Sequence, residues 1–559
     1  MNIWIFRLTL IILTFSVQAD DENSLQYSIK RSSKTTIDIS LSFTSNLERE
    51  ELVIPTSYAG STGAEKGVRN ITIRNEKCGI DLFYKRIDQK VIELNNCGSS
   101  TFIVQYQLVQ VEKSNSEPLN NYLHLPAITD SKFQWINALA LIVPWPKNSN
   151  ISVQVSVDPS TDEEVYSNLP SSKENNYFFN GDVYDFILSF LYVGNAESIT
   201  IEKDAGFQFL FENAVQQNAL PNLVNLKSIL SFLQNKLGGR NDSLSLLITG
   251  INLVDGYEST GGLALNNSIW IQTTGMNDKN EFSHLLIHEL IHAWLPGKFI
   301  FNSDDDQLAM RWFTEGFTDY LAVLTAKEMK LVSQETFNNY INEVMLTVKY
   351  SSFADLKFEN WKKLYNNPPV WLSVPDQLNN VPYWKGFLLA LKWDEELKRK
   401  NSDVYAVINQ MIAEKKHHLT FESIENSFHR NGVKDPRGDI NSYILNNESA
   451  LSTQLRYLSC GLVTLKPHSY FDFGFEFEIG KPVSNLKSHS NAFKAGLRNG
   501  DLVNTAVYKY GDKTEKVRMI IADGREIQYI PAASGSEHVI KPISSLPSTD
   551  NLCSEWVLN

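Results

Sequence analysis

The sequence predicts a multidomain α+β chain in three parts, and three changes of hydrophobic rhythm predict it. From residue 25 to about 201, apolar and polar residues alternate with the period of two that marks half-buried strands. Past about residue 206 the apolar spacing lengthens to that of helices with one buried face, and after Cys460 the alternation returns. A chain of 559 residues is also too long for one compact domain, since domains usually hold ~100–200 residues.

In the first part, Ile37, Ile39, Leu41 and Phe43 alternate with Asp38, Ser40 and Ser42. Phe102, Val104, Tyr106 and Leu108 follow the same rule, as do Ile151, Val153, Val155 and Val157. These runs predict an N-terminal antiparallel β domain over residues 20–203. Residues 204–455 carry helical faces at 282–294, 310–324, 387–393 and 404–412, with short strands expected at 243–248 and 263–271. In residues 456–559 alternation at 471–477 and 517–521, with Asp523-Gly524 as a hairpin turn, predicts a small β domain.

Composition narrows the partners. Hydrophobic residues make up 42%, charged residues 21% and aromatics 11%, the balance of a chain with a sizeable core. The formal net charge of −13 disfavours the phosphate backbone, so no nucleic-acid partner is expected. Arg7, the apolar run 8–17 and Val17-Gln18-Ala19 read as a secretory signal over residues 1–19. Ten residues span about 15 Å as a helix, short of the ~30 Å hydrocarbon core, so cleavage is expected rather than anchoring. The exported chain is then periplasmic or secreted, with no membrane span after cleavage. In that setting the four cysteines pair best as Cys78 with Cys97 and Cys460 with Cys553, the alternative being free buried thiols.

The chemistry concentrates in Ser283-His284-Leu285-Leu286-Ile287-His288-Glu289-Leu290-Ile291-His292. His288 and His292 stand four apart, on one helical face and about 6 Å apart along the axis, so both imidazoles can reach one tetrahedral zinc. Glu289 sits about 100° round the helix, awkward for a ligand but suited to hold and deprotonate the attacking water. His284 continues the spacing, yet about 12 Å of axis separates it from His292, so it reads as a packed or supporting histidine. A third ligand is available in Glu315, within Arg311-Trp312-Phe313-Thr314-Glu315-Gly316-Phe317-Thr318-Asp319-Tyr320. Asp319, one turn on, can accept the free N–H of His288 or stand as a solvated carboxylate.

His-Glu-x-x-His followed by Trp-Phe-x-Glu-Gly-Phe-Thr-x-Tyr resembles the gluzincin metallopeptidases, and within them the glycyl aminopeptidase family. The resemblance implies a thermolysin-like catalytic domain, one Zn²⁺, and peptide or protein substrates. It also gives Tyr383, in Tyr383-Trp384-Lys385-Gly386, the role of hydrogen-bond donor to the oxyanion at the start of a helix. Phe473-Gly474-Phe475 and the stretch 490–501 resemble a PDZ domain, whose groove takes a peptide or chain terminus as an added strand.

One departure bears on specificity. The family's glycine-rich strand, here Gly261-Gly262-Leu263-Ala264, normally ends in a glutamate that grips the substrate amine, and this chain has Ala264 there. Gly261 and Gly262 still let a peptide backbone approach. Three aspartates, Asp304, Asp305 and Asp306, also occupy the interval before Glu315, where the family is usually basic. Three functions follow: an aminopeptidase-like zinc peptidase with Glu289 as general base, an endopeptidase or altered exopeptidase, and a catalytically silent peptide-binding protein.

Overall fold

A computed structural model describes residues 24–541 except 59–60, 76, 78–83, 87–90, 96–97, 99, 112–123, 145–149, 161, 174, 203–206, 213–224, 240–243, 251–259, 266–267, 274–278, 296–298, 300, 302, 351–355, 367–374, 415–417, 447–463, 477–481 and 508–515. The expected signal, residues 1–19, and all four cysteines of the expected disulfides lie outside the described residues. Contacts divide the chain into two units, one of residues 1–56, 64–110 and 128–193, the other of 57–63, 111–127 and 194–559.

The first unit is built on a seven-stranded sheet. Its order is Ser171–Lys173, Asn176–Asp182, Asn150–Asp158, Ser24–Ser33, Thr36–Ser45, Ser100–Val109 and Val68–Asn75. Neighbours are antiparallel except Ser24–Ser33 with Asn150–Asp158, which run parallel. The expectation of a purely antiparallel domain is corrected there: alternation registers a pleat, not the direction of the neighbour. Ile37, Ile39, Leu41 and Phe43 are buried with Phe102, Val104, Tyr106 and Leu108 in one apolar core. Tyrosines in it keep their hydroxyls satisfied, Tyr27 donating to the Ile142 carbonyl at 2.8 Å and Tyr106 to that of Ala140 at 3.2 Å.

The second unit holds a five-stranded mixed sheet ordered Ala196–Glu202, Phe207–Glu212, Leu244–Gly250, Ser268–Thr273 and Thr260–Leu265. Two sequence expectations change here. The strand Ala196–Glu202 alternates like the β domain before it but pairs into this sheet, since rhythm does not say which sheet a strand joins. The single strand expected at 263–271 is an antiparallel pair, Thr260–Leu265 with Ser268–Thr273, and the first of these is the outermost strand.

Helices cover this sheet. Those that matter for chemistry are the histidine helix Lys279–Ile291, the glutamate helix Gly316–Glu328 and the long tyrosine helix Pro375–Lys398. Gly316 to Ala326 are buried without interruption, polar Thr318, Asp319 and Thr325 included, so the glutamate helix is central and covered all round rather than lying on the surface. Trp312, Phe313, Phe317, Trp393 and Phe428 pack as an aromatic core around it. Tyr383 lies inside its helix, directly after Pro382, and not at a helix start. Among the described residues no helix is long and apolar enough to cross a membrane.

The C-terminal part has its own small core, including Phe475, Val483, Leu497, Val503, Val517, Met519, Ile521 and Ile527. Val517–Ile521 and Glu526–Tyr529 form the hairpin expected at Asp523-Gly524, where Gly524 takes φ +88° as such a turn requires.

Candidate metal centre

The site is assembled where the histidine and glutamate helices meet. His288 is 6% exposed, Glu289 5%, His292 8% and Asp319 6%, so four ionisable groups are withdrawn from water together. Isolated polar groups are costly to bury, so a cluster of this kind needs mutual partners. His288 Nε2 lies 3.5 Å from Glu315 Oε2, and His292 Nε2 lies 3.2 Å from the same oxygen. Donors at the corners of a zinc tetrahedron with arms near 2.0–2.2 Å stand about 3.3–3.6 Å apart. The three donor atoms lie within 4.8 Å of one another, so the residues present fit a zinc ion.

Both imidazoles are turned to offer Nε2. His292 stands just past the last helical residue, with Nδ1 2.8 Å from the Leu295 carbonyl, which can only accept. His292 Nδ1 therefore carries its proton, leaving the Nε2 lone pair for a metal. Thr318, on the glutamate helix, donates to the Thr314 carbonyl at 2.6 Å and lies 3.3 Å from that same Leu295 carbonyl. His288 Nδ1 faces Asp319 Oδ1 at 3.5 Å, the partner that would fix its tautomer.

Asp319 is shared more widely than its sequence position suggests. His284 Nε2 lies 2.9 Å from Oδ1, and the Tyr340 hydroxyl donates to Oδ2 at 2.8 Å. His284, His288 and Asp319 thus form a second group able to hold an ion. Its shortest separation is that of a hydrogen-bonding contact rather than a tetrahedral edge. We read it as support for His288.

The electrostatics separate the carboxylates. Burial raises Glu289 above its ordinary range, with the imidazoles of His292 and His288 opposing. Desolvation works on Glu315 in the same sense although its side chain is 18% exposed, but His292, His288 and Arg311 prevail and hold it well below the usual carboxylate range. Asp319 is likewise lowered against burial, by His284 and His288. Burial opposes a charge on His288 as well, yet Asp319, Glu315 and Glu289 outweigh it and raise it to about 10. Two buried carboxylates and a third that is partly exposed, gathered around two imidazoles, favour a cation among them.

The outer strand Thr260–Leu265 lies against Glu289. A Cβ added to Gly262 would collide with the Glu289 carboxyl, so only glycine lets this backbone come so close. Ala264 is two residues on, on the same face, while Gly261 and Leu263 point the other way. Ala264 itself offers no carboxylate to an amine, and Asp255 and Glu258 lie outside the described residues.

Tyr383 is brought in by a helix crossing. A Cβ on Gly386 would run into the Trp312 carbonyl, and one on Gly316 would meet the Gly386 backbone. The paired glycines let the main chains touch and carry Tyr383 to His288. Its ring lies nearly parallel to that of His288, with centroids 6.0 Å apart and planes at 14°. Burial, with Glu315 in the same sense and Arg311 opposing, pushes the phenol well above its ordinary range, so it stays protonated. Sequence reading passed over Arg311, one turn before Glu315, although that spacing was visible. It also passed over Tyr340, for which no local signal exists.

No family model matches the sequence, and no curated protein matches it either. Solved structures do. The crystal structure of an aminopeptidase N family protein from Idiomarina loihiensis shares 15% identity at a TM-score of 0.70, over 96% of this chain and 100% of that one. An M1 zinc metallopeptidase from Deinococcus radiodurans shares 12% identity at a TM-score of 0.47, over 76% of this chain and 93% of that one. At such identities the first likeness is one of fold.

Proposed function

We propose that this chain is an exported zinc-dependent peptidase of aminopeptidase-like type, with His288, His292 and Glu315 as the ligands of one ion. The observation that carries the reading is the convergence of those three donors within 4.8 Å of one another, both imidazole-to-Glu315 separations being those of a tetrahedral edge, with Glu289 buried beside them. The glycyl aminopeptidase-like motifs and the fold shared with an aminopeptidase N family protein support it.

Bound zinc supplies a Lewis acid that polarises a carbonyl and acidifies water. Glu289, raised by burial above its ordinary range, takes the proton of the attacking water and hands it to the leaving amine. Tyr383 donates its O–H to the oxyanion as the carbonyl carbon becomes tetrahedral. Gly261, Gly262, Leu263 and Ala264 form an outer strand along which a peptide backbone can pair. Asp319 holds His288. No covalent intermediate is needed.

Export rests on Arg7, the run 8–17 and Ala19, and the two disulfides go with it. The small core, the turn at Gly524 and the motif around Gly474 support a PDZ-like C-terminal part that receives a peptide or chain terminus.

Chelation should abolish hydrolysis of a mixed peptide library and added zinc should restore it. Glu289→Gln should keep stoichiometric zinc while losing about 10²- to 10⁴-fold in rate. A fully active Glu289→Gln enzyme, or wild type without bound metal, would falsify this reading. A silent binding protein would retain peptides without cleaving them.

Ala264 favours a second reading on specificity, as an endopeptidase or an altered exopeptidase. A charge-assisted contact typically contributes about 1.5–3 kcal/mol, which is tenfold or more in selectivity. With no such contact, a peptide and its N-acetylated form should be cleaved at rates within about threefold of each other. Strong loss on acetylation would show that another carboxylate grips the amine.

A further inference from the structure

Arg311 is a withdrawn cation to which the chemistry above gives no task. Its guanidinium carbon lies 5.2 Å from the ring centre of Tyr365 and 5.7 Å from that of Tyr383, so two aromatic faces hold it. Nη2 donates to the Tyr383 hydroxyl oxygen at 3.5 Å. Nη1 is buried and has no partner among the described residues. A buried guanidinium with an unused arm is expensive to keep, so its placement calls for a reason.

The donor inventory supplies one. Arginine has only donors, whereas a phenol has one donor and two acceptor positions. With Nη2 directed at the phenol oxygen, the single Tyr383 proton must point elsewhere, and the ring it stands on lies stacked 6.0 Å from that of His288, beside the proposed ligands. Residue placement agrees. Arg311 opens the short helix Arg311–Thr314, and that segment's Trp312 carbonyl is where the tyrosine helix makes its closest approach, at Gly386. Arg311 and Tyr383 are therefore joined through one main-chain contact.

We propose that Arg311 is a positioning residue for Tyr383: it clamps the ring and keeps the phenol proton turned toward the metal ligands, where the oxyanion forms. The inference rests on the zinc-peptidase reading. No bond to Arg311 is made or broken. As water adds, the carbonyl π pair becomes the oxyanion's lone pair, and the Tyr383 O–H meets it without first having to rotate.

The test uses the full zinc-loaded chain and one peptide substrate, comparing wild type, Arg311→Met, Tyr383→Phe and the double variant. Arg311→Met should lower kcat by about ten- to a hundredfold, with KM within about threefold and zinc content unchanged. In the Tyr383→Phe background the same substitution should alter kcat by less than about threefold, because the group it positions is gone. Arg311→Lys keeps the charge but neither the planar stacking nor the fork, and should recover only part of the rate. It gives the same comparison if Arg311→Met does not fold. Equal losses in both backgrounds, or an unchanged kcat in Arg311→Met, overturn the inference alone. A zinc-loaded wild type that cleaves no peptide overturns it together with the reading beneath it.

Discussion

The N-terminal sheet and the meeting of the histidine and glutamate helices treat burial in opposite ways. Along Thr36–Ser45 the inward positions Ile37, Ile39, Leu41 and Phe43 are apolar and the intervening ones face outward. At the helix meeting His288, Glu289, His292 and Asp319 are buried at positions where an apolar side chain would need no partner. Both regions are packed, but the second withdraws His288, Glu289, His292 and Asp319 from water in one place. The difference separates residues kept for stability from residues kept for chemistry.

That contrast can be broken. Leu41 is fully buried in the first core, and Leu41→Ala should lower unfolding free energy by about 2–5 kcal/mol. Since no residue of the metal centre lies in that unit, kcat per folded molecule should stay within about twofold of wild type. Denaturant titration and kcat measured on the same preparation check both halves, and a kcat loss as large as that of Glu289→Gln would erase the distinction.

A smaller effect sharpens it. Gly386→Ala places a methyl group against the Trp312 carbonyl and forces the glutamate and tyrosine helices apart. Overpacking of this kind costs about 1–3 kcal/mol, which thermal unfolding would report. Here kcat should fall as well, by tenfold or more, because Tyr383 and Glu315 ride on the separated segments. A Gly386→Ala protein that is less stable but fully active would show that the crossing serves packing alone.

What could be read from the sequence follows from how far each relation reaches along the chain. His288, Glu289 and His292 occupy consecutive turns of one helix, so their mutual geometry is implied by 3.6 residues per turn. The strand runs around Ile39, Val104 and Val155 show their pleat for the same local reason. Pairing across the chain is different. Nothing near Ala196 says which sheet its strand enters, and nothing near Tyr340 says that its hydroxyl lies beside Asp319. Tyr383 lies in the middle of its helix because the turns before Pro382 are helical too, although a proline there reads locally as a first turn. Arg311 was in view but unread: its meaning depends on two tyrosines, 54 and 72 residues further along the chain.

The outer strand Thr260–Leu265 is six residues long. At about 3.4 Å per residue it offers a rail of roughly 20 Å. On the proposed reading, only chain whose amides and carbonyls are still unspent can lie along it, and the strands of an intact domain have already spent theirs on neighbours. Such a rail sorts its clients by looseness before any side chain is consulted, and directs the hydrolase toward fragments and frayed ends.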